Sequence, residues 1–181
     1  MPNSTRQSPT VIAASIAAFQ SQKKLADGAI RQTSDENLRK AIDPNTNSIA
    51  VIMKHVAGNL ISRWTEVLTT DGDKPNRNRD GEFIDDFPNR AAIEQFWERG
   101  WTTVIDSLSK LSDADLFKTI TIRGEPHHVI DAIQRSLAHT GYHTGQIVQL
   151  ARHFAGDNWN VLTIPRGASN DFNKKMQNAP R

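Results

Sequence analysis

Three histidines have a spacing that suits metal coordination. His139 and His143 lie four residues apart in a stretch with helical periodicity, so both side chains project from one helix face. His55, in another helical stretch about eighty residues upstream, is the candidate third ligand. Neutral imidazole binds zinc, nickel and iron, and three protein ligands leave positions open for water or substrate. The alternative is a chance pair in a helix with several histidines and an ordinary half-buried His55.

Polar residues after His55 are candidates for substrate contacts. Asn59 and Arg63 follow one and two helical turns later, where they could hydrogen-bond a substrate or hold an anionic group. Glu66 is a candidate base or partner of a metal ligand. The pattern favours a plainer interpretation for Arg63 and Glu66, a solvated i, i+3 ion pair. The charged loop residues are equally ambiguous: Arg77, Arg79, Asp80 and Glu82.

The other histidines have less specific surroundings. His127 and His128 follow Pro126 at the predicted start of a helix, and we interpret both as solvated. His153 lies near the end of that helix, where a positive charge interacts favourably with the helix dipole. We interpret it as a surface or capping residue.

Helical periodicity accounts for most of the chain and predicts the all-α class. Four long helices are predicted at about residues 9–31, 47–68, 89–111 and 126–154, with a short helical turn at 34–43. Predicted N-caps are Ser34, Ser48 or Asn47, and Asn89 or Pro88. Residues 119–122 are interpreted as one extended run that ends at Gly124, and no sheet is predicted. The four tryptophans are assigned to the core or an interface: Trp64, Trp97, Trp101 and Trp159.

The longest connection follows the second long helix. Residues 69–88 are rich in Gly, Pro, Asn and Asp, which indicates a loop, and a loop of that length is usually functional or a crossover. We therefore predict a four-helix bundle with a long crossover between helices 2 and 3. The whole chain, 1–181, is predicted to be one domain. Residues 1–8 are expected to be disordered and 156–181 to pack on the bundle as irregular chain.

The composition narrows the classes of partner. A chain of 181 residues, 37% of them hydrophobic, is long enough for one compact core. Its 22 basic residues nearly balance its 20 acidic ones, which argues against nucleic-acid and membrane partners. The apolar run at 11–19 continues a helical pattern and does not suit a cleaved leader, so a cytoplasmic protein is expected. The absence of cysteine restricts metal ligands to His, Asp or Glu.

Three segments together resemble the DinB-like superfamily. They are H-V-A-G-N-L-I-S-R-W and the loop after it at 55–83, H-T-G-Y-H-T-G-Q-I-V at 139–148, and L-T-I-P-R-G-A-S-N-D-F-N at 162–173. Within the superfamily they resemble small bacterial proteins related to the bacillithiol transferases. The resemblance implies a four-helix bundle with a crossover, a homodimer, and a divalent ion held by His55, His139 and His143.

The resemblance leaves three functions open. The first is an enzyme in which zinc or nickel, with iron or manganese as alternatives, activates a low-molecular-weight thiol for S-transfer to a small-molecule substrate. The second is a metal-dependent hydrolase, and the third is a non-catalytic metal-binding dimer. In either enzyme, Arg63 and Asn59 would orient the anionic end of the thiol or the substrate. The lack of cysteine agrees with an external thiol.

Overall fold

Most of the chain is helical. The computed structural model describes residues 10–178. Within that range lie six α-helices: α1 (Val11–Ile30), α2 (Asp35–Arg39), α3 (Ile49–Trp64), α4 (Arg90–Ser109), α5 (Val129–Ala155) and α6 (Ser169–Asn178). Two short strands, β1 (Thr119–Ile122) and β2 (Glu125–His128), precede α5. The prediction for residues 1–8 falls outside the described range. None of the helices described here has the length and apolarity to cross a membrane.

Short polar side chains begin the helices where the sequence predicted them. Ser34, Ser48 and Asn89 each accept a hydrogen bond from the backbone amide three residues later. These caps satisfy amides that have no partner inside the helix. A distant residue also caps α1, because the carboxylate of Asp113 accepts hydrogen bonds from the amides of Val11 and Ile12.

The four long helices share one hydrophobic core. α1 and α3 each pack against both α4 and α5. Near the centre, the ring centroid of Phe19 lies 6.5 Å from that of Trp64 and 6.4 Å from that of Trp101, both edge-on. Burying each such side chain stabilises the fold by about 1.5–3 kcal/mol. The assignment of tryptophans to the core is confirmed for Trp64, Trp97 and Trp101.

A glycine sets the distance between α3 and α4. A Cβ atom at Gly100 of α4 would lie 2.6 Å from Cα of Ala57 in α3. No side chain fits between the two helices at this point. The close contact fixes the helix that carries His55 against the rest of the core.

α3 ends earlier than predicted. Thr65 is extended and Glu66 has a left-handed backbone with φ 48°, so the helix stops at Trp64 instead of continuing to residue 68. Glu66 is consequently exposed and lies beyond the helix face that carries His55. The connection from 65 to 89 contains one 3₁₀ turn, Asp80–Phe83.

The segment before α5 is a hairpin, and the predictions of no sheet and of a helix from Pro126 are wrong. β1 and β2 are antiparallel with Ile122 opposite Glu125, which leaves Arg123 and Gly124 as a two-residue turn. Their φ values of 56° and 75° are those of a type I′ turn. The E-P-H-H sequence of β2 has low strand propensity, and a proline suits the first turn of a helix. Pairing with β1, whose two isoleucines are buried, overrides that local preference.

The C-terminal segment is only partly irregular. Asn160 exchanges two backbone hydrogen bonds with the side chain of Gln32, which holds the segment against the end of α1. Leu162 packs against the core near Gly28. The interpretation of 156–181 as irregular is wrong for α6, whose Asp171 in the first turn and Lys175 in the last suit the helix dipole.

Candidate metal centre

The three histidines singled out from the sequence lie together. α3 supplies His55, α5 supplies His139 and His143, and one ligand atom of each lies within 4.8 Å of the others. Nε2 of His55 is 3.1 Å from Nε2 of His139. The ring centroid of His143 is 5.0 Å from that of His55 and 4.6 Å from that of His139. Among residues 10–178 no other His, Cys, Asp or Glu joins this group.

Glu82 orients the ring of His55. Oε2 of Glu82 accepts a hydrogen bond from Nδ1 of His55 at 3.0 Å, so Nε2 is left to face the other two histidines. Arg77 in turn donates two hydrogen bonds to Glu82, at 2.7 and 2.8 Å. Burial of Glu82 opposes ionisation, but the hydrogen bonds from Arg77 and His55 outweigh it and its pKa is lowered. A carboxylate on the far nitrogen of a histidine is typical of metal sites, where it fixes the tautomer and raises ligand basicity.

Gln146 orients His143 in a similar way. Nδ1 of His143 donates to Oε1 of Gln146 at 2.7 Å, and the amide nitrogen of Gln146 donates to the hydroxyl of Tyr142 at 3.1 Å. With the proton on Nδ1, the lone pair of His143 lies on Nε2. The rings of His55 and His143 are therefore both held with an unprotonated Nε2 atom that can bind a metal ion.

The donor set fits a divalent metal ion. Two nitrogens bound to one tetrahedral zinc at about 2.0–2.1 Å lie about 3.3 Å apart, close to the separation of the two Nε2 atoms of His55 and His139. Nδ1 of His139 is buried and has no hydrogen-bond partner in the described part of the chain. The three histidines could thus form a metal site, with oxygen or sulfur ligands completing it.

The protonation state also suits a metal ligand. Burial, and then the neighbouring His143 and His55, lower the pKa of His139 to about 3. Burial is likewise the largest cause that lowers the pKa of His143. Both rings are therefore neutral near pH 7, which is the form that binds metal.

A cavity of about 270 Å³ opens beside the cluster, and His55 and His139 form part of its wall. Asn59 also lines it, together with five arginines: Arg63, Arg77, Arg79, Arg123 and Arg135. The structure therefore places Asn59 and Arg63 next to the histidines, on the wall of the same cavity. Glu82 is the one carboxylate among the lining residues.

Arg63 is buried, and the interpretation of a solvated ion pair with Glu66 is wrong. Its exposed fraction is 4%, and its Nη1 atom has no hydrogen-bond partner within residues 10–178. Burial, with the nearby charges of Arg135, Arg77 and Arg123, lowers the pKa of Arg63 to about 10. Arg63 therefore lines the cavity with a buried guanidinium nitrogen that lacks an acceptor.

The remaining histidines lie apart from the cluster. His128 is the N-cap of α5, and its ring nitrogen Nδ1 lies 2.9 Å from the carbonyl oxygen of Phe117. His153 is exposed in the last turn of α5, as predicted. His127 is half-buried, so its interpretation as a solvated residue is wrong.

Sequence reasoning left Glu82 ambiguous and did not single out Arg123 or Arg135. Glu82 reaches His55 from a loop, and Arg123 reaches the cavity from a turn, so neither has a periodic signal. Arg135 precedes His139 by four residues, and this helical spacing could have identified it.

Comparisons with known proteins agree with the fold. A family model described as Protein of unknown function (DUF1572) matches residues 7–168. Among solved structures, the chain is similar to a DinB-like protein from Bacillus cereus ATCC 10987, with 18% identity, a TM-score of 0.54, and coverage of 84% of this chain and 98% of that one. At this identity the likeness shows the fold alone, and the predicted DinB-like fold is confirmed. No curated protein matches the sequence.

Proposed function

The chain belongs to the DUF1572 family and has a DinB-like fold, and we propose that it is a divalent-metal-dependent enzyme. The observation that carries the proposal is the orientation of the histidine rings. Glu82 and Gln146 occupy Nδ1 of His55 and His143, so both Nε2 atoms are left for one ion beside a cavity. His139 supplies the third ligand.

The number of ligands supports an enzyme over the non-catalytic alternative. A structural zinc site is normally closed by a fourth protein ligand, whereas catalytic sites keep a position for water or substrate. In the described part of the chain the group has three members. The adjoining cavity gives an incoming molecule access to the open positions.

The reaction that we favour is S-transfer from a low-molecular-weight thiol. A divalent ion held here would act as a Lewis acid that lowers the pKa of a thiol. The chain has no cysteine, so the thiol is external. A second cavity, of about 640 Å³, is lined by Gln146, the hydrogen-bond partner of His143, and none of its lining residues is charged. The two cavities offer separate room for an acidic thiol and an uncharged acceptor.

The state of Glu82 fits a reaction in which the metal ion, and not a carboxylate base, promotes loss of the proton. A hydrolase benefits from a general base that removes a proton from water. Both oxygens of Glu82 already accept hydrogen bonds from His55 and Arg77, and its pKa is lowered, so it is a poor base. In the proposed reaction Glu82 instead holds the ring of His55, while Asn59 and Arg63 orient the anionic end of the thiol.

Several features of the proposal rest on the resemblance to DinB-like proteins. We infer that the four long helices form one bundle domain in which residues 65–89 are the crossover. We also infer that the protein is a cytoplasmic homodimer and that the ion is zinc or nickel, with iron or manganese as alternatives. The shared core of the four helices supports the single domain.

Elemental analysis of the purified chain tests the proposal. The native protein, loaded separately with zinc, nickel, iron(II) and manganese, should retain about one ion per chain. His55→Ala, His139→Ala and His143→Ala should lose it while circular dichroism remains helical. His153→Ala, a change of an exposed histidine on the same helix as two ligands, should retain it. Full metal content in His143→Ala, or none in the native chain after loading, would contradict the site.

An activity assay then separates the two reactions. The loaded protein should consume glutathione or bacillithiol in the presence of chlorodinitrobenzene, and His143→Ala should not. Hydrolysis of nitrophenyl esters without thiol consumption would favour the hydrolase instead.

A further inference from the structure

We propose that the cavity beside the histidine cluster binds a small molecule with two or more negative charges, and that Arg63, Arg123 and Arg135 recognise those charges. The inference rests on the proposed function for its chemistry, because the occupant would be the acidic thiol of that reaction. Its physical basis is separate, since it depends on the charge balance of the cavity and not on the ion.

Two of the five cavity arginines already have carboxylate partners. Arg77 is paired with Glu82, and both side chains are 7% exposed. Arg79 is paired with Asp73, at 2.7 Å between Nη2 and Oδ1. These pairs fix the loop against α3, and the two carboxylates neutralise the positive charges of Arg77 and Arg79 that could otherwise attract an anionic ligand.

The other three arginines have no such partner. None of the ion pairs formed within residues 10–178 includes Arg63, Arg123 or Arg135. Three arginine side chains without an ion-pair partner around one cavity repel each other and attract anions. Because guanidinium groups bind carboxylate and phosphate oxygens through paired N–H donors, the natural occupant is a dianion of either class.

Arg63 is the buried arginine of this site. It is almost fully buried, and its Nη1 atom has no hydrogen-bond acceptor within residues 10–178. Buried N–H groups without an acceptor destabilise the fold, so a ligand that accepts hydrogen bonds from them would be bound favourably. A Cβ atom at Gly72 would lie 3.1 Å from Cδ of Arg63 and 3.4 Å from its Nη1. The bare backbone at Gly72 therefore packs along the arginine stem and holds the guanidinium at the cavity wall.

Arg123 occupies a backbone position that favours glycine or asparagine. Its φ of 56° costs a side chain about 1 kcal/mol or more. The carboxylate of Asp71 accepts hydrogen bonds from the amides of Arg123 and Gly124, both at 2.8 Å, and holds the turn in place. The turn thus places an arginine at the cavity wall although the backbone conformation disfavours a side chain there. A role of Arg123 in binding would explain why this position is not a glycine.

Arg135 lies at the same end of the site as Arg63. His55 contacts His139 while Trp64, nine residues later, contacts Ser136, so α3 and α5 run in opposite directions here. Arg63 is two turns after His55, about 12 Å along the axis, and Arg135 is one turn before His139. The occupant is therefore expected to have its charges at this end of the cavity and its reacting atom at the histidines.

Calorimetric titration tests the inference on the full-length protein. The probes are succinate and inorganic phosphate, with uncharged succinamide as the matched control. Arg123→Gly removes the side chain and suits the turn, and Arg135→Gln changes an exposed helix residue, so both variants should fold. Arg152→Gln is the matched control, since Arg152 is also exposed on α5 but does not line this cavity.

Succinate or phosphate should bind saturably, and succinamide should not. Arg123→Gly and Arg135→Gln should each weaken binding about fivefold or more, because each removes charge-assisted hydrogen bonds, while Arg152→Gln leaves it unchanged. No saturable binding of either anion, or binding that both cavity variants leave unchanged, would overturn the inference.

The metal-free His143→Ala variant separates this inference from the proposed function. It should still bind the dianion within about twofold of the native affinity, because the arginines do not depend on the ion. Anion binding in a native protein that takes up no metal would refute the proposed enzyme and leave the anion site standing. Metal uptake without anion binding would refute only the anion site.

Discussion

Gly58 lies directly against the carboxylate of Glu82: a Cβ atom at Gly58 would be 2.6 Å from Oε1 of Glu82. Gly58 follows His55 by three residues on α3, next to the ring that Glu82 holds. Glycine therefore lets the loop carboxylate come close enough to the helix to bond Nδ1 of His55. The position of one ligand ring depends on the absence of a side chain on its own helix.

Gly58→Ala should weaken metal binding although it favours the helix. Alanine stabilises a helix interior by about 1 kcal/mol relative to glycine, but here its methyl group displaces Glu82 from His55. We expect metal affinity to fall about tenfold, as measured by competition with a chelating dye. Gly145→Ala is the control, since nothing lies within 4 Å of a Cβ there; it should raise stability and leave metal affinity unchanged. Equal affinities in the two variants would contradict the role of the contact.

Glu82→Gln should lower metal affinity by about 10–100-fold. The amide keeps the shape of the side chain but removes the negative charge that polarises His55 and pairs with Arg77. The same dye competition measures the effect, and circular dichroism reports whether the helices persist. Glu98→Gln is the control, because Glu98 pairs with Lys23 away from the cavity. The prediction is wrong if both variants bind metal like the native chain.

The metal-free protein should lose stability as the pH falls from about 6.5 towards 3. An imidazole in the unfolded chain has a pKa near 6.5, whereas burial lowers that of His139 to about 3 in the fold. Between these values the unfolded chain binds a proton that the folded chain excludes, so acid favours unfolding. His139→Gln should reduce the difference in the free energy of unfolding between pH 7 and pH 5, as measured by urea denaturation at each pH. His153→Gln, at an exposed position, should keep the native slope, and the same slope in both variants would refute the assignment.

Arg63→Met should stabilise the protein and abolish succinate binding. Replacing a buried, unpaired charge by an apolar chain of similar length removes a desolvation cost, with an expected gain of about 1–3 kcal/mol in the free energy of unfolding. Denaturant unfolding measures the gain, and calorimetry measures the loss of binding. Arg152→Met should do neither. A destabilised Arg63→Met variant that still binds succinate would show that Arg63 is structural.

Local pattern predicted the four long helices well and their junctions poorly. Ser34, Ser48 and Asn89 were identified as caps because a cap depends on residues within one turn. The end of α3 depends on the left-handed backbone conformation of Glu66. Glutamate rarely adopts this conformation, so the residue type does not predict it. The hairpin was missed because β2 depends on its partner strand and on burial for stability.

The site shows the same division between local and distant contacts. His139 and His143 were found from their spacing on one helix, whereas His55 needed a second helix pattern and the family resemblance. Glu82 and Arg123 reach the site through the folded loop and turn, and no spacing in the chain predicts that contact. The roles of Glu82 and Arg123 depend on tertiary contacts, and only the structure identifies them.

The metal ligands and most of the arginines belong to different kinds of structure. The three histidines lie on core helices, whereas Arg77, Arg79 and Arg123 lie on a loop and a hairpin turn. Loops and turns accept substitutions and insertions that a packed helix does not. During evolution, changes confined to the hairpin turn can redirect the protein to a new substrate without disturbing the histidines, whereas changes in the loop also alter the Arg77–Glu82 pair that orients His55. The substrate range of relatives should therefore vary with the turn.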